Sequence, residues 1–476
     1  MTARTRKTVL FIALVLSLLG IAGSAAFSQA GPEQMRRIAA LLRQADQDGL
    51  DPAAYEAADA QAFSAWAGDL ALGRAGLRTL DRDVVLPAPD FDPRAVVEQA
   101  LREDRLRELP ARLMPPHADY ARLKTALARY RAIAAAGGWP QLPGAARDYT
   151  QPKPLTLLWR RLAFEDETIA GAPQPALAAA LIRFQRLHGL EADGILGPAT
   201  LRALNVPAEA RVETILANME RWRWLPRRLE PDRIMINAAS AELSLILKDQ
   251  EVLRSRVVVG RPRDRTPILR AEAAGLTVNP PWNVPVSIAA REILPKLKRD
   301  PGYLASQDMV LLNGPPGDPH GRTVDWQAIP AGTFPYRVRQ HPGPGNALGQ
   351  VKIELPNRFD VYLHDTPART AFARQDRHLS HGCVRVEKIL PLASLALSAD
   401  LAAMEKIVAA IDTGGTAYMP LEKKLPVYFL YWTAVAGGDG TVAFWPDAYG
   451  RDTRLLAALR KKALLAADIS DACRKA

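Results

Sequence analysis

The sequence predicts a multidomain α+β protein: helical in its first third, then a small three-helix module, then a mostly β domain after Pro231. Three observations carry this. The chain has 476 residues, 48% of them hydrophobic and 24% charged, which at about 150 residues per domain gives about three domains with real cores. Ala-rich stretches with helical spacing recur to about residue 165. Beyond Pro231 the apolar residues alternate as strand faces do.

Taken in order, Arg4, Arg6 and Lys7 precede the apolar run 9–23, and small residues follow it. Residues 1–30 thus have the charged, apolar and small-residue order of a secretory signal, with an uncleaved anchor as the rival reading. Either places the rest of the chain outside the cytoplasm. Residues 31–165 read as a helical domain, opened by Pro32 and an apolar face of Met35, Ile38, Leu41 and Leu42 that Gly49 stops. Residues 166–225 read as a compact module: Leu177, Leu181, Phe184 and His188 at helical spacing, a turn at Asp193-Gly194, a short helix from Pro198, and a third helix from Glu209 to Trp222. Trp222 and Trp224 fit either an interface or a core.

A mostly β domain spans about 232–415, with Ile234 and Ile236, then Leu243, Leu245 and Leu247 alternating, and Arg358 to His364 as a later strand. The polar stretch within 287–340 is long enough to form an inserted cap over a cleft. Residues 416–476 read as a C-terminal extension packed on this domain, covering an edge strand. The formal charge of +11 is spread along the chain, which disfavours a nucleic-acid arm and suits anionic surroundings.

The two cysteines, Cys383 and Cys473, lie too far apart in sequence for a Cys-only metal or iron-sulfur site. Cys473 has no chemical company. Cys383 sits in His378-Leu-Ser-His381-Gly382-Cys383-Val-Arg385, to be read with Tyr362-Leu-His364-Asp365-Thr366. A thiol attacks carbonyls as thiolate, and with an ordinary pKa of about 8.5 it needs a base or positive charge nearby. His364 at a strand end is the candidate base. Gly382 lets the backbone turn so that the Cys383 amide and a neighbour could face an oxyanion, and Arg385 could lower the thiol pKa or bind a carboxylate. From the residues alone three readings stay open: a catalytic thiol, a metal site of His378, His381, Cys383 and His364, or structural groups.

His364 with Ser380-His381-Gly382-Cys383-Val384-Arg385 resembles the signature of the L,D-transpeptidases of bacterial peptidoglycan, the YkuD-type catalytic domain. Arg265-Thr-Pro267, the run 279–285 (NPPWNVP), Asn346-Ala-Leu-Gly349 and Tyr362-Leu-His-Asp-Thr-Pro367 extend the likeness to the large YcbB-like subgroup. Asp48-Gly49-Leu50-Asp51-Pro52 resembles that group's amino-terminal scaffold. Residues 174–205 are similar to a peptidoglycan-binding type-1 module, whose signature is partly a folding one, so docking and bracing both remain open.

The resemblance implies a two-step acyl transfer by a Cys383 acyl-enzyme, a 3-3 cross-link between stem peptides as product, and no metal or cofactor. It implies His364 as catalytic base, the Asp365 carbonyl as its orienter, and Gly382, His381 and Arg385 around the nucleophile, with His381 shaping the site. Tyr362, Ser380, Trp282, Asn346 and Thr366 become candidate substrate-binding residues. The implied partners are peptidoglycan stems and glycan, cell-wall synthesis enzymes and, as inhibitors, carbapenems; the implied compartment is the periplasm. Rival functions are L,D-carboxypeptidation, D-amino-acid exchange or envelope-protein attachment or release by the same thiol, and a non-catalytic wall-binding scaffold.

Overall fold

The computed structural model describes residues 27, 29–75, 81–144, 149, 151–166, 177–398 and 401–461. The leader expectation for residues 1–30 therefore falls almost wholly outside the described residues, as does Cys473. No helix among the described residues is long and apolar enough to cross a membrane. The chain divides into two units, residues 1–229 with 432–476, and residues 230–431.

The first unit is built on helices α1 (Pro32–Arg43), α2 (Ala60–Leu72), α3 (Pro93–Arg102), α4 (Ala118–Ala135), α5 (Pro152–Ala163), α6 (Leu177–Leu187), α7 (Pro198–Leu204) and α8 (Ala208–Arg223). Their starts follow from local chemistry. Asp59 and Asp92 accept hydrogen bonds from the first-turn amides of α2 and α3, and Pro occupies the first turn of α1, α3, α5 and α7. Ile38, Leu42, Phe63, Trp66 and Leu70 make one core with Leu101, Leu106 and Leu109.

Leu158 and Leu162 of α5 join Leu181 and Phe184 of α6 and Leu204 of α7 in a second core. The module's three helices are thus α5, α6 and α7, whereas the sequence reading takes α8 as the third. Helix α8 packs instead along α4, because it is buried nearly all round from Ala217 to Arg223 and needs a larger partner surface. Trp222 stacks on Trp432 at 4.5 Å, and Trp224 joins Ala217, Leu455 and Leu459, so both tryptophans are core residues.

The second unit is a closed sheet. Its strands are β1 (Arg233–Asn237), β2 (Glu242–Leu247), β3 (Gln250–Gly260), β4 (Ile268–Val278), β5 (Trp282–Val284), β6 (Met309–Leu311), β7 (Val338–Gln340), β8 (Val351–Glu354), β9 (Leu363–His364), β10 (His378–Ser380), β11 (Val384–Val386) and β12 (Ala417–Leu430). Neighbours run β4-β12-β1-β2-β3-β11-β9-β8, and β8 pairs back onto β4, which removes the free edges. Helices α9 (Ile389–Leu397) and α10 (Leu401–Asp412) join β11 to β12. Strands β5, β7 and β6 form a separate small sheet whose segment 282–340 has its own core around Leu294, Leu297, Leu304, Trp326 and Phe334.

Two sequence expectations are corrected. Residues 417–430 cover no edge: β12 lies between β4 and β1, antiparallel to the first and parallel to the second. Val427 to Leu430 are all buried, and a strand buried on both faces reads as a continuous apolar run. The register slips between Pro420 and Leu425, next to prolines that cannot donate to the ladder. From Trp432 the chain belongs to the first unit, with strands β13 (Ala434–Ala436) and β14 (Val442–Phe444) pairing as a hairpin. The second correction concerns Arg358 to His364, of which only Leu363–His364 is strand. The Asn357 amide donates to the Leu355 and Val361 carbonyls and accepts from Phe359 N–H, and Asp360 takes φ +50°, so residues 357–361 form a turn.

Because Phe429 is 0% exposed in the middle of this sheet, Phe429→Ala is expected to lower unfolding free energy by about 3–5 kcal/mol. Urea denaturation checks this, and a loss well under 1 kcal/mol would show that β12 is peripheral.

Candidate active site

Strands β9 and β11 run parallel, with Leu363 opposite Val384 and His364 opposite Arg385, and Val384 N–H donates to the Tyr362 carbonyl at 3.0 Å. On its other side β11 pairs with β3, Arg385 opposite Val258. Strand β10 also hangs on β3, so both ends of the loop 381–383 are held by one strand. Gly260 at the end of β3 has no room for a side chain: a Cβ there would meet the Asp264 carbonyl at 2.1 Å. That close approach lets Thr266 Oγ1 accept from Gly260 N–H at 2.9 Å and donate to the Gly382 carbonyl at 2.8 Å.

Gly382 has φ +116°, a conformation that favours glycine. Its N–H donates to Ser380 Oγ at 3.1 Å, and that hydroxyl donates to the Cys383 carbonyl at 2.6 Å. Gly382 therefore shapes the turn and its amide is already engaged. The Cys383 N–H has no hydrogen-bond partner among the described residues and stays available to an oxyanion.

His364 is 5% exposed. Its Nδ1 lies 2.6 Å from the Asp365 carbonyl; since the carbonyl accepts, Nδ1 carries the proton and Nε2 keeps its lone pair. Burial, then the Arg385 cation, push the imidazole pKa down to about 3. The Cys383 thiol donates to the Asp360 carbonyl at 3.6 Å. Burial raises its pKa above the ordinary thiol value, against the pull of the Tyr362 amide and hydroxyl and the Lys352 cation. The resting pair is thus a neutral thiol and a neutral imidazole. The Tyr362 hydroxyl engages both the Cys383 sulfur and Trp282, its ring lies edge-on to His364 at 5.5 Å, and Lys352 Nζ stands 4.3 Å over it.

These groups open into a cleft of about 760 Å³, walled by Trp282 and Val286 on one side and by Tyr362, His364, Cys383 and Arg385 on the other. The Arg385 guanidinium makes no hydrogen bond among the described residues, and its Nε is buried without a partner. A guanidinium left unsatisfied beside a thiol is suited to a substrate carboxylate. Beside the two roles open to Arg385 in sequence, the structure adds a third: its cation disfavours the His364 imidazolium.

Three substrate-binding candidates spend their side chains on internal hydrogen bonds, although Ser380 also lines the cleft. Ser380 is 2% exposed and spends its hydroxyl inside the 380–383 turn. Asn346 is 1% exposed, its amide bonded to the His341 carbonyl and Leu348 N–H. Thr366, 3% exposed, accepts from Ala368 N–H. The histidines of the metal reading are dispersed: His378 has Nδ1 on Asp376 and Nε2 on the Ala238 carbonyl, and His381 Nε2 lies 2.6 Å from Glu292. Among the described residues no group of three or more His, Cys, Asp or Glu is arranged to hold a metal.

Sequence reasoning missed Glu292, whose segment Ala289–Ile293 is a π-helical turn between two short α-helical pieces. Glu292 also accepts from Arg261 at 2.9 Å, while Asp264 accepts from Arg261 at 2.6 Å and from Arg291 at 3.1 Å. Burial opposes the Glu292 charge, but Arg261 and His381 hold its carboxyl below the usual range. These contacts tie segment 282–340 to the loop after β3 and to the residue two before Cys383. No short motif marked them, since Glu292 and His381 are separated by 89 positions.

Removing the Arg385 charge eases protonation of the imidazole. Arg385→Gln is therefore expected to raise the His364 NMR titration midpoint from about 3, since a nearby cation disfavours the imidazolium. An unmoved midpoint would assign the depression to burial and the Lys352 cation instead.

Residues 231–416 match the family described as the L,D-transpeptidase catalytic domain, 55–127 match a scaffold domain, and 158–204 match a family described as "Putative peptidoglycan binding domain". A Haemophilus influenzae protein named "Putative L,D-transpeptidase" is 36% identical over 222 residues, 47% of this chain. The match spans 45% of that relative's length, so the chain spans about half of the curated protein it matches. Segment by segment the chain is thus similar to an L,D-transpeptidase catalytic domain, a scaffold domain and a peptidoglycan-binding domain.

Proposed function

We propose that the protein is a cysteine-dependent peptidoglycan L,D-transpeptidase of the YcbB-like subgroup, acting in the cell envelope outside the cytoplasm. The observation that carries the reading is the parallel β9–β11 register, which sets His364 and Arg385 side by side next to Cys383 in a walled cleft. The envelope location rests on the sequence of residues 1–30.

In the first step the thiol leaves the Asp360 carbonyl, gives its proton to His364 Nε2, and Cys383 Sγ forms a bond to the meso-diaminopimelate carbonyl of a donor tetrapeptide. The Cys383 N–H faces the developing oxyanion. The bond to D-alanine breaks and the His364 proton goes to the leaving amine. In the second step the side-chain amine of an acceptor stem attacks the thioester, His364 takes the amine proton and returns it to sulfur, and a 3-3 cross-link forms. Arg385 receives a donor carboxylate in this reading. That carboxylate also offsets the cation that disfavours the imidazolium, so substrate binding itself prepares His364 to accept a proton. A thiol that acylates in this way is also open to carbapenems. Cell-wall synthesis enzymes remain proposed partners.

Incubation with defined disaccharide-tetrapeptides and product identification by mass tests the proposal. The expected product is a 3-3 dimer, absent with Cys383→Ala. His364→Gln is expected to slow acylation by about a hundredfold or more. Tripeptide plus D-alanine alone would replace transpeptidation by carboxypeptidation, and unchanged substrate would sink the catalytic reading.

A further inference from the structure

A second groove lies in the first unit, with a volume of about 710 Å³, bounded by α4, α6, Glu165-Asp166 after α5, and the turn 437–441 of the β13–β14 hairpin. Its basic lining is four arginines, Arg122, Arg129, Arg183 and Arg186, with no lysine. Two of them fix the walls. Arg122 Nε donates to the Ala436 carbonyl at 2.9 Å, and Arg129 donates to the carbonyls of Gly440 at 3.2 Å and Phe164 at 2.6 Å. The other two sit on the exposed side of α6. Arg183 Nε pairs with Asp166 at 3.0 Å, its two terminal nitrogens make no hydrogen bond among the described residues, and the Arg186 guanidinium makes neither a hydrogen bond nor an ion pair among them.

The acidic groups of the groove are already engaged. Glu165 receives Arg161 Nη1 at 3.0 Å and the Tyr130 hydroxyl at 3.2 Å, Asp166 is held by Arg183, and Asp439 accepts from the Thr441 amide and hydroxyl. The unspent hydrogen-bonding capacity is therefore donor capacity, in the planar forked form that fits carboxylates. No aromatic ring lines the groove to stack on a sugar, so its chemistry suits the peptide part of the wall polymer rather than the glycan.

We propose that this groove binds the carboxylates of peptidoglycan stem peptides at a site separate from the Cys383 cleft. The inference rests on the reading that the substrate is peptidoglycan. It also redraws the binding unit. The segment 158–204 supplies Glu165, Asp166, Arg183 and Arg186, but Arg122, Arg129 and the hairpin turn come from outside it, so the matched module holds only part of the site.

The test uses the full chain in a Cys383→Ala background, with and without Arg183→Ala plus Arg186→Ala, in pelleting assays with purified sacculi. Both arginines are exposed, and an unaltered melting temperature verifies folding. The double substitution is expected to weaken sacculus binding by about tenfold or more, the scale of losing charge-assisted hydrogen bonds. Sacculi stripped of stem peptides by an amidase should bind the background protein correspondingly less, and free L-Ala-γ-D-Glu-meso-diaminopimelate should compete for the background protein and much less for the double variant. Equal binding by the two proteins would overturn the proposal. So would full binding to stripped glycan, or displacement by inorganic phosphate as effective as by the tripeptide. Absence of any Cys383-dependent product in the tetrapeptide assay would instead remove the catalytic reading and leave a difference in sacculus binding standing.

Discussion

The site depends on a two-residue strand. Leu363–His364 is too short to hold itself in place, yet it is pinned between β8 on one side and β11 on the other, antiparallel to the first and parallel to the second. The parallel pairing is what sets His364 against Arg385, because a one-residue slip would turn the imidazole to the opposite face. The chain arranges this by turning sharply just before the strand, where Asn357 closes the 357–361 segment on itself, and just before β11, where Gly382 takes a conformation open to few other residues. Two turns and one ladder bond from Val384 to Tyr362 thus bring together residues that lie far apart in sequence.

That placement has an electrical consequence. A buried imidazole beside a guanidinium is held neutral, and a buried thiol without a strong acceptor is also held neutral. Both are unreactive states. For the proposed enzyme this would be protective, since a standing thiolate is open to oxidation. In the proposed reaction the missing component is the anionic substrate, which would offset Arg385 and shift the balance toward the imidazolium and thiolate. The unsatisfied Arg385 Nε and the depressed histidine are then two faces of one arrangement: the cation is kept unpaired until a carboxylate arrives.

Much of this was legible in the sequence, and what was not has a physical reason. Cys383 and His364 stand in one cleft and the Asp365 carbonyl lies on the His364 ring, an arrangement their motifs suggest because each group is placed by its own local position. Trp282 and Tyr362 line the cleft as their motifs suggest. Ser380, Asn346 and Thr366 belong to the same motifs and engage nearby backbone groups with their side chains, and a short polar residue in a motif looks the same in sequence whether its oxygen faces a cleft or the backbone. Strand β12 misled for a related reason: the apolar run 427–430 marks a strand, but nothing in residues 417–430 tells which neighbours they will meet. Glu292 was invisible because its partner depends on how an inserted segment folds back.

The inserted segment is more than a cover. Glu292 bonds His381 and Arg261, and Arg291 bonds Asp264, so one face of the cleft is tied to the loop that carries the nucleophile. Each of these pairs is partly exposed and on its own worth little, but they share residues and converge on one corner. Sliding the segment away would strip Glu292 of two donors together, while moving the 380–383 turn alone would also break the Thr266 and Ser380 bonds. Small rearrangements at the cleft wall and at Cys383 are therefore coupled mechanically. A wall set by the same bonds as the nucleophile can hold an incoming amine in register with the thioester and limit the water that reaches it. In the proposed reaction the choice between cross-linking and hydrolysis would then rest on whether this corner stays closed through the second step, which gives Glu292 a bearing on the outcome through the wall it holds.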